Sequence, residues 1–249
     1  MNLKVLYNIF KNHPEGRWVM EWQNAVILYK FIKSHDVKRI LDLGTGIGVS
    51  PAVCALALEE KGGDYHIDSI EQFDKCVDLA KKLIPKELQK HLTIHKTNTE
   101  VWSIPQAPAI NFSIYGNLPE GEYDLIVNDG PAFWRDGEYL VDLPNGTVTK
   151  MLIEEKIKPN TFVVWDGRIS MLQFLERYYG NSFEVYRISK PEDDMNILRR
   201  LNNTPEFFDE KLKTLQEQTS FFNEITPTID SSSTLSKTAT PNQGAQEGI

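Results

Sequence analysis

Cysteine is nearly absent: Cys54 and Cys76 are the only two in 249 residues, and both fall in stretches that read as helices. A disulfide framework is thereby excluded, and a reducing compartment, the cytoplasm, is the expected setting. Long apolar runs are missing too. Nowhere do about 18 uninterrupted apolar residues occur, and the opening MNLKVLYNIFKNH has no apolar stretch ahead of a small-residue cleavage site. Neither a membrane span nor export is expected. Positive charge is in deficit, 27 Lys and Arg against 35 Asp and Glu for a net charge of −8. That balance argues against a dedicated nucleic-acid binder and leaves a small molecule as the expected partner. No aromatic follows Phe222, and the Ser-, Thr-, Pro-, Gly- and Gln-rich stretch 226–249 is expected to be disordered because it has too little apolar surface to bury.

What is present, 41% hydrophobic and 25% charged residues, suits one globular α/β domain. Apolar periodicity predicts a helix over 20–33, then strands at 40–43, 65–70, 91–95, 123–128 and 161–165. Helices are expected at 51–60, 72–84, 148–158 and 169–179, closed by Gly or Pro. Two alternating runs, 182–189 and 195–201, joined by KPEDD, predict an antiparallel hairpin at the sheet edge. Strands alternating with helices imply right-handed βαβ units and a mostly parallel sheet covered on both faces. Around this domain, 20–203, the expected organisation is a cap segment over 1–19, a helix over 204–225 and the tail 226–249. The 204–225 helix carries Phe208, Leu212, Leu215 and Phe222 on one stripe, suited to docking on the domain or on a second subunit as a homodimer. The segment 99–122, with Pro105, Pro108 and Pro119, reads only as a decorated connection or an insertion.

The stretch ILDLGTGIGVSPA, residues 40–52, organises the rest. A buried strand containing Asp42 runs into Gly44, Gly46 and Gly48 at alternate positions. Ser50 and Pro51 then look like a helix N-cap and first helical residue. A strand, a glycine turn and a helix N-terminus together let a ligand approach backbone closely and offer N–H donors to an anionic group. In parallel sheets ligands sit beyond the carboxyl ends of the strands, and Glu71, Asp129 and Asp166 each end a strand.

LDLGTGIG resembles the first motif of the class I S-adenosylmethionine-dependent methyltransferases, an acid-containing strand followed by GxGxG. The likeness continues, more weakly, over 20–201 in strand order and acid placement. It implies a Rossmann-like three-layer α/β/α sandwich with a seven-stranded, mostly parallel sheet and an antiparallel C-terminal hairpin. It also implies S-adenosyl-L-methionine as cofactor. Asp42 would then sit under the methionine end, Gly44, Thr45, Gly46, Gly48 and Ser50 would form its cradle, and Thr97 and Asn98 would lie near the adenine. Glu71, 23 residues after Gly48, is placed for the ribose hydroxyls. Asn128 and Asp129 stand where the family has residues facing the methyl group, with Asp166 and Arg168 beside them as further catalytic candidates. The implied activity is O-methylation of a small hydroxylated, sugar-like metabolite.

Each of these residues has a plainer reading. Glu71 could be a solvated acid in the first turn of a helix, and Asp-Gly pairs such as those at Asp129 and Asp166 are common turn chemistry. Two carboxylates at neighbouring strand ends could hold Mg²⁺. The catechol-type metal-dependent enzymes have Asn after the fifth-strand acid, however, and Gly167 stands there instead, so no metal ligands are assigned. Two other functions stay open: a non-catalytic module keeping the cofactor pocket, and a dinucleotide-dependent oxidoreductase, against which the GxGxG spacing speaks. The connection 132–147, rich in aromatics, reads equally as a lid or as an ordered surface loop.

Overall fold

The computed structural model describes residues 1–16, 19–105, 107–131, 134–135, 138–139, 145–167, 169–190 and 193–206. Arg168, most of the 132–147 connection, nearly all of the 204–225 helix and the 226–249 tail lie outside them.

The seven sequence-predicted strands all form, as β1 (Arg39–Leu43), β2 (His66–Glu71), β3 (Leu92–Lys96), β6 (Leu125–Asn128), β9 (Phe162–Asp166), β10 (Phe183–Arg187) and β11 (Met195–Arg200). They make one sheet in the order β10-β11-β9-β6-β1-β2-β3. Every pair is parallel except those of β11, which runs against both β9 and β10. The order turns back between β1 and β6. A crevice therefore opens beyond the ends of these two strands, between their diverging connections.

Strand alternation divides the core. Ile40, Ile67, Val127 and Val164 face one apolar layer, while Leu41, Leu43, Ile126, Val163 and Trp165 face the other. The first layer is closed by α1 (Leu3–Lys11), α2 (Trp22–Ser34) and α3 (Val49–Lys61). Helix α3 is buried continuously from Val49 to Leu58 because it lies between the sheet and the other two helices. That position explains its unbroken VSPAVCALAL run, which has no polar face. Leu6, Tyr7 and Phe10 of α1 are buried in the same layer, so the N-terminal segment packs onto the domain. The second layer is closed by α5 (Thr147–Ile153) and α6 (Ile169–Tyr179), while α4 (Asp74–Leu83) flanks β2 and β3.

One open reading gains its structure here, and one expectation is corrected. The 99–122 segment is more than a decorated connection: it contains a hairpin of its own, β4 (Thr99–Ile104) paired antiparallel with β5 (Ala107–Tyr115), separate from the main sheet. Helix α3 starts earlier than Ser50: Gly48, in the left-handed region, is its N-cap, and Ser50 is its second residue. Within the 132–147 connection the described backbone includes two short paired strands, β7 (Trp134–Arg135) and β8 (Glu138–Tyr139). Cys54 and Cys76 are both free thiols. No helix among the described residues is long and apolar enough to cross a membrane.

Candidate active site

The loop after β1 is pulled across the end of β2, where the Gly44 and Thr45 N–H groups both donate to the Ile70 carbonyl, at 3.0 and 3.1 Å. Its glycines are not equivalent. Gly44, at φ +108°, lies against the chain leaving β6: a Cβ there would stand 2.8 Å from the Gly130 nitrogen. The contact arises because Asp129 and Gly130 both donate to the Leu43 carbonyl, at 2.9 and 2.7 Å. Gly48 is pressed by Ile84 of the α4 C-cap, so its role is packing. Gly46, at φ +53°, meets nothing within 4 Å where a Cβ would be. The open face of the loop is therefore at Gly46, which a ligand could approach.

Two acids close around this loop. Asp42 is fully buried; one carboxyl oxygen accepts from Ser69 Oγ at 2.5 Å, and the other, Oδ1, has no partner. Ser69 Oγ in turn lies 2.6 Å from Thr45 Oγ1. Burial pushes the Asp42 pKa up to about 6, against the opposing pull of the Ser69 and Ser50 hydroxyls, and the Glu71 charge adds to the rise. Glu71 is also buried and raised by desolvation, which three backbone N–H donors partly offset. Gly46 N donates to its Oε2 at 2.7 Å, while Gln72 N and Phe73 N donate to Oε1 at 2.7 and 2.9 Å. A carboxylate offers about four acceptor positions. Glu71 thus keeps capacity for a further hydroxyl while it holds the open glycine.

The residues after β3 and β6 separate into scaffold and site. Thr97 is buried and structural: its N–H donates to the Glu71 carbonyl at 2.9 Å and its Oγ1 accepts from Asn117 N at 3.2 Å. The Asn98 residue is exposed, and its carbonyl accepts from Gly116 N at 2.9 Å. Asn128 is fully buried, with Oδ1 accepting from Asn145 Nδ2 at 2.8 Å and Nδ2 unpartnered, so it braces the β6 exit from beneath. Asp129 reaches the cavity beside Gly44 and Gly46.

Asp166 is held by a residue from an unexpected element. Asn24, from α2 and 1% exposed, donates through Nδ2 to Asp166 Oδ1 at 2.6 Å and also to Asp194 Oδ1, from the turn before β11. Burial together with Asp129 and Asp194 pushes the Asp166 pKa up, to about 7. Sequence reasoning found Asp129 and Asp166 but missed Asn24 and Asp194. KPEDD read as a hairpin turn, and Asn24 as one polar position on an amphipathic helix. Among the described residues no group of three or more His, Cys, Asp or Glu side chains is arranged to hold a metal ion.

The crevice retains a cavity of about 100 Å³, floored by Gly44, Thr45, Gly46 and Ser50 and walled by Asp129. Glu15, Val19 and Met20 roof it, and Glu15 pairs with Lys75 of α4 at 2.5 Å. The N-terminal segment therefore caps the glycine loop. In the sequence, 1–19 reads as a cap segment, with no residue marked as the one that would meet the loop.

No protein-family model and no curated protein sequence matches the chain. Solved structures do. A Podospora anserina methyltransferase bound to S-adenosylhomocysteine aligns with a TM-score of 0.55 at 14% identity, over 80% of this chain and 88% of that one. TomG, an O-methyltransferase of tomaymycin synthesis from Streptomyces achromogenes, in complex with S-adenosylmethionine, gives 0.53 at 15%, over 81% and 89%. An O-methyltransferase from Bacillus cereus in complex with S-adenosylhomocysteine gives 0.51 at 12%, over 80% and 90%. The chain has the Rossmann-like fold of these methyltransferases.

Proposed function

We propose that the protein is an S-adenosylmethionine-dependent methyltransferase acting on an oxygen of a small hydroxylated, sugar-like molecule. The observation that carries this reading is the open Gly46 face, set between the buried Glu71 carboxylate, which grips the Gly46 amide, and Asp129. A cofactor with a ribose, a sulfonium and an ammonium matches that set. A ribose hydroxyl donates to the remaining acceptor position of Glu71. Asp42, buried behind Ser50 and Ser69 with Oδ1 unpartnered, supplies negative charge beneath the cationic end. Asn98, exposed just beyond β3, would face the adenine, while Thr97 and Asn128 act by shaping the scaffold. The cavity of about 100 Å³ is smaller than the ~300 Å³ from which ligand pockets begin, so Glu15 and Met20 must shift outward as the cofactor enters.

When bound, the cofactor supplies an electrophilic methyl group. Asp129, just beyond β6, would hold the acceptor hydroxyl toward that methyl group and take the hydroxyl proton as the S–C bond breaks, leaving a neutral thioether, and the new C–O bond forms. The acceptor class rests on the acids that surround this point: ionised carboxylates accept hydrogen bonds, and a polyhydroxylated molecule donates them. For Mg²⁺ the fit is poor, because the Asn24 amide already occupies Asp166 Oδ1 and position 167 carries no side-chain ligand. Calorimetric titration of the pure, folded protein with S-adenosylmethionine and, separately, with NADPH tests the assignment. Saturable heat with the first and none with the second is expected; the reverse pattern, or silence with both, overturns it.

A further inference from the structure

We propose that Asn24 and Asp194 are positioning residues of the site: the Asn24 amide and the Asp194 carboxyl, meeting Asp166 from two other elements, fix the orientation and the charge of the Asp166 carboxyl beside Asp129. The assignment to an acceptor site rests on the methyltransferase reading; the positioning itself does not.

A primary amide offers two N–H donors on one nitrogen, in one plane. Asn24 Nδ2 spends both, one on Asp166 Oδ1 at 2.6 Å and one on Asp194 Oδ1. The two acids are brought to that nitrogen from 142 and 170 residues away. Asn24 is buried on α2, and its Oδ1 has no partner. Nothing in its surroundings other than the two acids accounts for a polar residue at that position.

Position 167 completes the arrangement. Gly167, at φ +70°, donates its N–H to the Asp194 carbonyl at 3.2 Å, and a Cβ there would stand 3.4 Å from Asp194 Oδ2. Asp194 thus lies beside the space that a side chain at 167 would enter. The turn before β11 folds over the end of β9 and delivers its carboxyl from the side.

Two carboxylates on one amide nitrogen cannot both stay charged at low cost in a desolvated place; a proton on one of them relieves the repulsion. Among the described residues, the titratable groups facing Asp166 are Asp129 after β6, Asp194 from the turn and Tyr7 from α1, whose hydroxyl donates to the Met20 carbonyl at 3.1 Å. Asp193, next to Asp194, is committed to Arg187 at 2.7 Å. None of these supplies a positive charge to Asp166. Asp166, desolvated and with Asp194 and Asp129 as acidic neighbours, is the carboxyl that holds its proton longest, and in that form it is placed to donate to an acceptor oxygen.

Carbon-13 NMR titration of the Asp side-chain carboxyls in the intact protein tests the positioning without knowledge of the acceptor. In the wild type, Asp166 should titrate above the ordinary carboxylate range. Asp194→Asn, which is isosteric, should lower the Asp166 pKa by about one unit or more, as expected for removal of an adjacent like charge. Asn24→Ala should raise it, since a donor to the charged form is lost. A merely structural pair would not give shifts of opposite sign. A wild-type Asp166 that titrates alone in the ordinary range, or that ignores Asp194→Asn, overturns the proposal even if Asn24→Ala fails to fold. Parallel titration with S-adenosylmethionine separates the two readings: the expected Asp166 shifts with no cofactor heat refute the methyltransferase assignment and leave the positioning of Asp166 by Asn24 and Asp194 standing.

Discussion

Replacing Asp42 by Asn should change how stability depends on pH and, at the same time, remove cofactor affinity. The carboxyl is buried, its pKa is about 6 in place of 3.8, and desolvation is the leading cause. A folded-state value above the unfolded one means that the unfolded chain releases its proton first as pH rises. Stability contributed by the protonated form is then complete below pH 3.8 and lost progressively up to about pH 6. The whole loss is about 3 kcal/mol, at 1.36 kcal/mol per pH unit, of which about 2 falls above pH 4.5.

The amide of the Asp42→Asn variant does not ionise. It keeps an oxygen for Ser69 but places an NH₂ group where Asp42 Oδ1 has no partner, a penalty of about 1–3 kcal/mol that does not vary with pH. The quantity to compare is therefore the slope. Between pH 4.5 and 7.5 the urea unfolding free energy of the wild type should fall by about 2 kcal/mol relative to that of Asp42→Asn. Parallel curves would refute the claim that Asp42 is a strained acid in the empty protein. Burial of this kind is sustained if a cationic ligand relieves it. Cofactor binding near pH 6 should accordingly release a proton from the wild type, seen as a dependence of the calorimetric heat on buffer ionisation enthalpy, and the variant should show none.

Three other outcomes are expected. Gly44→Ala should destabilise severely, since its Cβ would stand 2.8 Å from backbone, whereas Gly46→Ala meets nothing and should cost about 1 kcal/mol in melting experiments while abolishing S-adenosylmethionine binding. Equal losses of stability in the two would contradict the assignment of the open face to Gly46. Glu71→Gln sets an amide donor against one of the backbone donors from Gly46, Gln72 and Phe73 and should weaken cofactor binding by roughly tenfold or more, read by titration. Away from the site, the buried Asp68 lies 2.7 Å from His95 Nε2, 3.1 Å from His66 Nε2 and 3.1 Å from the Tyr123 hydroxyl. Asp68→Ala should cost about 3 kcal/mol of unfolding free energy, and a loss under about 1 would show that the network is decoration.

Much of the scaffold was legible because burial is periodic. Strands β1, β6 and β9 are covered on both faces and read as short apolar runs between turn residues. The β4–β5 hairpin was not legible. It forms a two-stranded sheet of its own, touched from outside by the Ser113–Asn145 bridge; β4 is half-exposed and carries no apolar run, and Pro105 and Pro108 near the tip read as loop punctuation. The start of α3 was misplaced for a different reason. Ser-Pro is a good helix opening wherever it occurs, but here the left-handed Gly48 already begins the helix, and Ser50 faces Asp42 and the cavity floor.

The site divides along the same line. Residues tied to one strand end could be found, since a glycine loop, Glu71, Asp129 and Asp166 each follow a strand and so converge at one edge of a parallel sheet. Residues that act by crossing between elements could not. Asn24 sits among Trp22, Ala25 and Leu28 on a helix whose period explains it without any ligand, and Asp194 sits in a turn where acids are ordinary. What joins them is a single amide nitrogen, and no periodicity records a contact between residues 170 apart. One sign did exist in the chain. Gly167 departs from the Asn of the catechol-type pattern, and its left-handed backbone leaves the space beside which the Asp194 carboxyl lies. A glycine where a related site carries a ligand is thus a reason to look for a side chain arriving from another element.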